Sequence, residues 1–192
     1  ADHKSGGANK CRKVERGVAR SGRDIEDAHA GREAGRAEQR GEVADAAVAP
    51  GAGDAVLFVD TFTRGFRPEA AGAAARVLQQ AGERVECSAE ACCGLTWIST
   101  GQLGAARRLL ARAAEALDDG TERSIVVVEP SCAAALRKDL PELVPTDQAR
   151  RVSRRVRSFA AHLAERTAQG WRPEPSAPIP DRVVLQTHCH SI

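Results

Sequence analysis

Large apolar residues enter this chain late, in short blocks whose period changes from one block to the next. Residues 1–50 contain no Leu, Phe, Tyr or Trp, whereas residues 55–59 (AVLFV) form a continuous apolar run. Such a run predicts a strand buried on both faces. It ends at Asp60, and Pro68 suits the first turn of a helix that turns Val77 and Leu78 inward, runs to about Ala81 and stops at Gly82. Residues 84–87 (RVEC) predict a short second strand leading to Cys92-Cys93-Gly94. Thr100 is placed to cap a helix in which Leu103, Ala106, Leu109, Leu110, Ala113 and Leu117 recur at helical spacing, up to Asp118-Asp119-Gly120. Residues 124–128 (SIVVV) are the best strand by branched content, and Ser131 is expected to cap a short helix from Cys132 toward Leu140. Thr146 or Asp147 opens a long helix to about Gln169, with Val152, Val156, Phe159 and Leu163 on its inner face. Four prolines make residues 172–180 an extended connector to residues 182–186 (RVVLQ), a further buried strand in this reading.

Strands alternating with helices predict an α/β domain, a three-layer parallel sheet built from Rossmann-like strand–helix units. In such sheets ligands bind beyond the carboxyl ends of the strands. Asp60, Cys92-Cys93, Glu129 with Cys132, and His188-Cys189-His190 each follow a predicted strand, so all four groups are expected at one edge. Gly94, Gly101 and Gly104 read as turn and close-packing residues.

Composition divides the chain. Residues 1–50 hold ten Lys or Arg and nine Asp or Glu, so residues 1–53 read as a disordered or low-complexity segment. The net charge of +2 and the mixing of signs argue against nucleic-acid binding. The basic run at residues 150–157 (RRVSRRVR) reads as a solvated helix face. No apolar run approaches the roughly 20 residues of a membrane span, and no export h-region precedes the domain. Six cysteines in such a chain suggest ligands, redox groups or free thiols rather than a disulfide framework, and a cytoplasmic location.

Adjacent thiols ahead of a helix favour thiolate and hence a soft metal, with buried structural cysteines as the alternative for Cys92, Cys93 and Cys132. Asp60 is read either as a ligand or as a cap on the turn after its strand, and Glu129 as a ligand or a hydrogen-bond partner of one. His188 and His190 are candidate imidazole ligands beside Cys189, or simply solvated. Cys87 is a spare thiol at a strand end, Cys11 is isolated, and Trp97 either screens a cluster or packs in the core. No phosphate loop, dinucleotide fingerprint or flavin site is visible.

The segments DTFTRGFRPE, CCGLTW, STGQLGAARRLL, EPSCAAALRKDLPEL and HCHS resemble the cysteine-rich CCG domain of heterodisulfide reductase and of the iron–sulfur subunits of glycolate and lactate oxidases. They look most like the version at the C-terminus of FAD-linked 2-hydroxyacid oxidases. Between Asp60 and Cys92-Cys93 lie 31 residues, and between Gly94 and Glu129-Pro130-Ser131-Cys132 lie 34, which fits the family spacing. Asp60 and Glu129 stand where the fullest family pattern has cysteine. The resemblance implies a first half-domain at residues 54–180 and a truncated start of a second at 181–192, hence an incomplete copy. It also implies an iron–sulfur cluster, a non-cubane 4Fe–4S type included, on Cys92, Cys93, Cys132 and Cys189, with Asp60, Glu129, His188 and His190 as further metal ligands and zinc as the alternative metal. The implied role is electron transfer from an FAD held only on a partner oxidase domain to a second acceptor. On this reading the chain is a fragment or subunit of an oxidoreductase, not catalytic alone, with any attachment to the inner membrane made through partners. The competing reading is a structural zinc-binding or metal-free interaction half-domain.

Overall fold

A computed structural model describes residues 53–88, 90–175, 178 and 181–184. Residues 1–52 of the predicted disordered segment, and His188, Cys189 and His190, lie outside the described residues. Four strands form one sheet in the order β2-β1-β3-β4, all parallel. They are β1 (Ala55–Phe58), β2 (Val85–Cys87), β3 (Ser124–Val127) and β4 (Val156–Ser158). The central pair is in register from Ala55 opposite Ser124 to Phe58 opposite Val127.

Period two along β1 separates two cores. Val56 and Phe58 join Ile125, Val127 and Val156 on one face, whereas Ala55, Leu57 and Val59 join Val126 on the other. The second face is covered by α2 (Pro68–Gln80), through Ala71, Ala74, Ala75 and Leu78, and by Phe159 and Leu163 of α8 (Phe159–Ala168). The first face is covered by α4 (Leu103–Leu117), α6 (Leu140–Leu143) and α7 (Asp147–Arg155). Helices on both faces of a parallel sheet make the expected three-layer α/β arrangement. Pro68 does open α2, Gly82 follows it at φ +84°, and the Thr146 hydroxyl does cap α7 by accepting from the Ala149 N–H.

Four local readings are corrected. The long helix predicted over residues 147–169 breaks at Val156, where three residues pair with β3 as β4, and the Ser158 hydroxyl then caps α8 by accepting from the Ala161 N–H. The edge position beside β3 is thereby filled. Residues 182–184 form no strand, and Val183 and Val184 are exposed. Leu103 is also largely exposed, because α4 buries the stripe through Ala106, Leu110, Ala113, Ala114 and Leu117 instead.

The basic run is not a solvated face throughout. Arg155 is buried, donating to the carbonyls of Arg123 and Leu117 and to Asp119. Arg123 in turn bonds Glu86 at 2.8 Å and Asp119 at 2.6 Å. This Glu86–Arg123–Asp119–Arg155 chain ties β2, the start of β3, the end of α4 and the end of α7 together. Arg150, Arg151 and Arg157 pair with Asp147, Asp118 and Glu165.

Candidate functional site

The carboxyl ends of β1, β2 and β3 are all at one edge, as parallel pairing requires. Asp60 follows β1 there. It is buried, and its carboxylate caps the short α1 (Thr61–Phe66) by accepting from the N–H groups of Phe62 at 2.9 Å and Thr63 at 3.0 Å and from the Thr63 hydroxyl. The capping alternative is therefore the one realised in this structure. Arg64, one turn along α1, donates to the Val59 carbonyl at 2.9 Å.

After β2 the chain reaches Cys92-Cys93-Gly94. Gly94 adopts φ +75°, a left-handed conformation that L side chains rarely take, and an added Cβ would lie 3.4 Å from Leu110 Cγ. This glycine lets the backbone turn from the cysteines into a short helix, α3 (Leu95–Ser99), while lying against α4. Thr100 ends α3 and does not cap α4, contrary to the sequence reading. Its hydroxyl donates back to the Thr96 carbonyl at 2.9 Å, and α4 starts only at Leu103. Trp97 is half-buried and outside the core cluster, to which Leu95 and Ile98 of the same helix contribute.

After β3, Glu129 and not Ser131 caps the next helix, α5 (Pro130–Ala134), accepting from the Cys132 N–H at 2.9 Å. The Ser131 hydroxyl also donates to Glu129, at 3.3 Å. Helix α5 passes into a π-helical turn, Ala135–Asp139, in which the Leu140 N–H reaches the Ala135 carbonyl. Pro141 follows within α6. Its ring would clash with the carbonyl four residues back in a regular α-helix, and a widened turn relieves that clash.

These two loops bring Cys93 and Cys132, 39 positions apart, to a sulfur–sulfur distance of 2.8 Å. Both sulfurs belong to the core under the first face of the sheet. The hydrogen bond with Cys132 holds the Cys93 thiol below its usual pKa, against burial and the negative charges of Asp60 and Glu129. Cys132 is pushed upward by that same bond, by burial and by the same two carboxylates. Cys92 is free and half-exposed, its sulfur 3.4 Å from the Gly94 N–H.

Of the four groups expected at one edge, Asp60, Cys92-Cys93 and Glu129 with Cys132 are there, and His188-Cys189-His190 lies outside the described residues. The assembly is tighter between the sulfurs than a metal requires. Among the described residues no three His, Cys, Asp or Glu side chains are arranged to hold a metal ion. Two soft, buried thiols fit such a group in kind. Two thiolates on one tetrahedral metal, each at about 2.3 Å from it, stand roughly 3.8 Å apart, so this pair would have to open by about 1 Å. Cys87, read as a spare thiol, is instead buried and disulfide-bonded.

Residues 59–137 match the family model of the cysteine-rich CCG domain. Over this stretch, less than half of the chain, the protein is similar to that family. Its boundaries enclose Asp60, Cys92, Cys93, Gly94, Glu129 and Cys132, so the CCG match and the cluster at the sheet edge coincide. No curated protein and no solved structure matches the chain. No helix among the described residues is long and apolar enough to cross a membrane.

The opposite, amino edge holds a feature that the sequence reading missed. Glu83 and His162 are both buried, with Nε2 of the histidine 2.9 Å and 3.0 Å from the two carboxylate oxygens. Arg166 stands 3.4 Å from the same carboxylate. They line a polar cleft of about 520 Å³ together with Asp54 and Arg123. The available signal was periodicity: His162 falls on the same inward stripe of α8 as Phe159 and Leu163.

Proposed function

We propose that this CCG-like domain is an iron–sulfur electron-transfer module of an FAD-linked 2-hydroxyacid oxidoreductase of glycolate or lactate type, passing electrons from a partner's flavin to a further acceptor. The observation that carries the reading is the meeting of Cys93 and Cys132, from separate strand ends, in one buried contact inside the family match. In this reading Cys93 and Cys132 are the buried sulfur ligands, Cys92 reaches the group from the more open side, and Cys189 with His188 and His190 completes the set. An iron–sulfur group supplies one-electron chemistry when bound. The chain's own residues then have two tasks. The Gly94 turn fixes the direction of the paired cysteines, and the caps made by Asp60 and Glu129 hold two negative charges beside the sulfurs. Such charge favours the oxidised form of a nearby redox group and lowers its potential. Substrate oxidation belongs to the flavin partner, and the domain sets only potential and distance.

Anaerobic reconstitution of the full chain with iron and sulfide tests this. The expected result is a visible charge-transfer band bleached by dithionite, with a paramagnetic signal. A chain that stays colourless and spectroscopically silent contradicts it. A second reading, a structural zinc or metal-free interaction domain, is favoured by the engagement of both carboxylates in helix caps and by the close sulfur contact. Tightly held zinc after purification, with no iron uptake, selects it.

A further inference from the structure

The 2.8 Å between Cys93 and Cys132 lies between two chemical states of the pair. A disulfide needs the sulfurs at about 2.05 Å, an approach of under 1 Å, and a shared tetrahedral metal needs them about 1 Å farther apart. The neighbouring thiol is poorly placed to compete. A bridge between adjacent Cys92 and Cys93 closes a strained ring, and the Cys92 sulfur lies against the Gly94 N–H. Cys93 and Cys132 are respectively 5 % and 4 % exposed, so a bulky disulfide has no line of attack whereas a small oxidant does.

We propose that Cys93 and Cys132 form a two-electron dithiol–disulfide couple, oxidised by hydrogen peroxide, whose closed state withdraws both sulfurs from metal binding. The first half stands on the geometry alone; the second rests on the electron-transfer reading above. The Cys93 sulfur attacks one peroxide oxygen, the O–O bond breaks, and a sulfenic acid and one water result. The Cys132 sulfur then attacks the Cys93 sulfur, the S–S bond forms, and the sulfenic oxygen leaves as a second water. Two electrons pass from the pair to peroxide, and both thiol protons leave in the waters. A small-molecule thiol reverses the bridge by exchange.

The test uses the full chain, metal-free and reduced, treated with one equivalent of hydrogen peroxide and mapped by fragment mass spectrometry. The expected product is a reducible Cys93–Cys132 bridge, formed at a rate within about twofold of wild type in C92S. In C132S a sulfenic acid trappable on Cys93 replaces it. A bridge through Cys92, or Cys93 and Cys132 both remaining thiols in wild type and C92S, overturns the couple even if C132S fails to fold. Iron uptake is then measured before and after oxidation. Bridging in a chain that never takes up iron leaves the couple standing and removes the electron-transfer reading, and iron uptake without bridging does the reverse. Undiminished uptake by the bridged protein overturns the withdrawal of the sulfurs from metal.

Discussion

The two edges of the sheet use polar groups in opposite ways. At the amino edge, charge meets charge: Asp54 with Arg84, Glu86 and Asp119 with Arg123, Asp119 with Arg155, and Glu83 with Arg166. At the carboxyl edge, Asp60 and Glu129 accept from backbone N–H and hydroxyl groups, and their charges act on two buried thiols. The difference teaches where structure ends and chemistry begins. Ion pairs between elements fix how they pack, whereas negative charge held by caps beside soft nucleophiles tunes reactivity.

The comparison is broken most strongly at Arg155. Arg155→Met leaves Asp119 with Arg123 but without its second guanidinium and the Leu117 carbonyl without this donor, and about 1–3 kcal/mol of stability is expected to be lost in denaturant unfolding. Peroxide bridging of Cys93 with Cys132 is expected to persist in whatever fraction remains folded, because Arg155 lies at the other edge. Loss of bridging in folded protein means the edges are not independent.

Gly94→Ala works from the other side. The left-handed backbone makes a cost of about 1–2 kcal/mol the expected outcome of thermal or denaturant unfolding, with slower bridging as the cysteine turn relaxes. Unchanged stability and unchanged bridging mean that the turn does not position the sulfurs.

The smallest effect is at Asp54. Hydrogen bonds from Arg84 hold its carboxyl down at about 2, from an ordinary value of 3.8. A depressed folded value means that the contribution is present above about pH 4 and is lost as pH falls toward 2. With its side chain 42 % exposed the pair is well screened, so only a slight stability deficit is expected in Asp54→Asn above pH 4, closing by pH 2 in acid-unfolding curves. A deficit that persists at pH 2 assigns it to something other than this charge.

Much of the fold was legible because β1 and β3 are unbroken apolar runs and α2 carries proline at its start and glycine at its end. The break at Val156 was not. Val152, Val156, Phe159 and Leu163 satisfy a helical period, and only pairing with β3, a contact between positions about thirty residues apart, overrides it. At the site, strand order and the carboxyl-end rule brought Asp60, Cys93, Glu129 and Cys132 to one edge. Which side chains touch was hidden, because Asp60 reads as a ligand or a cap and Glu129 as a ligand or the hydrogen-bond partner of one until the backbone positions of Thr63 and Cys132 are known. The Arg155 network was hidden for a related reason: a run of arginines reads as a solvated face unless its acidic partners, contributed by other elements, are in view.

The most direct measurement of the central claim is iron and acid-labile sulfide per chain after anaerobic reconstitution, with wild type compared with C93S and C132S. The account predicts bound iron and sulfide in the wild type and their loss in each variant that remains folded. Equal iron and sulfide in all three, or none in the wild type, would contradict it.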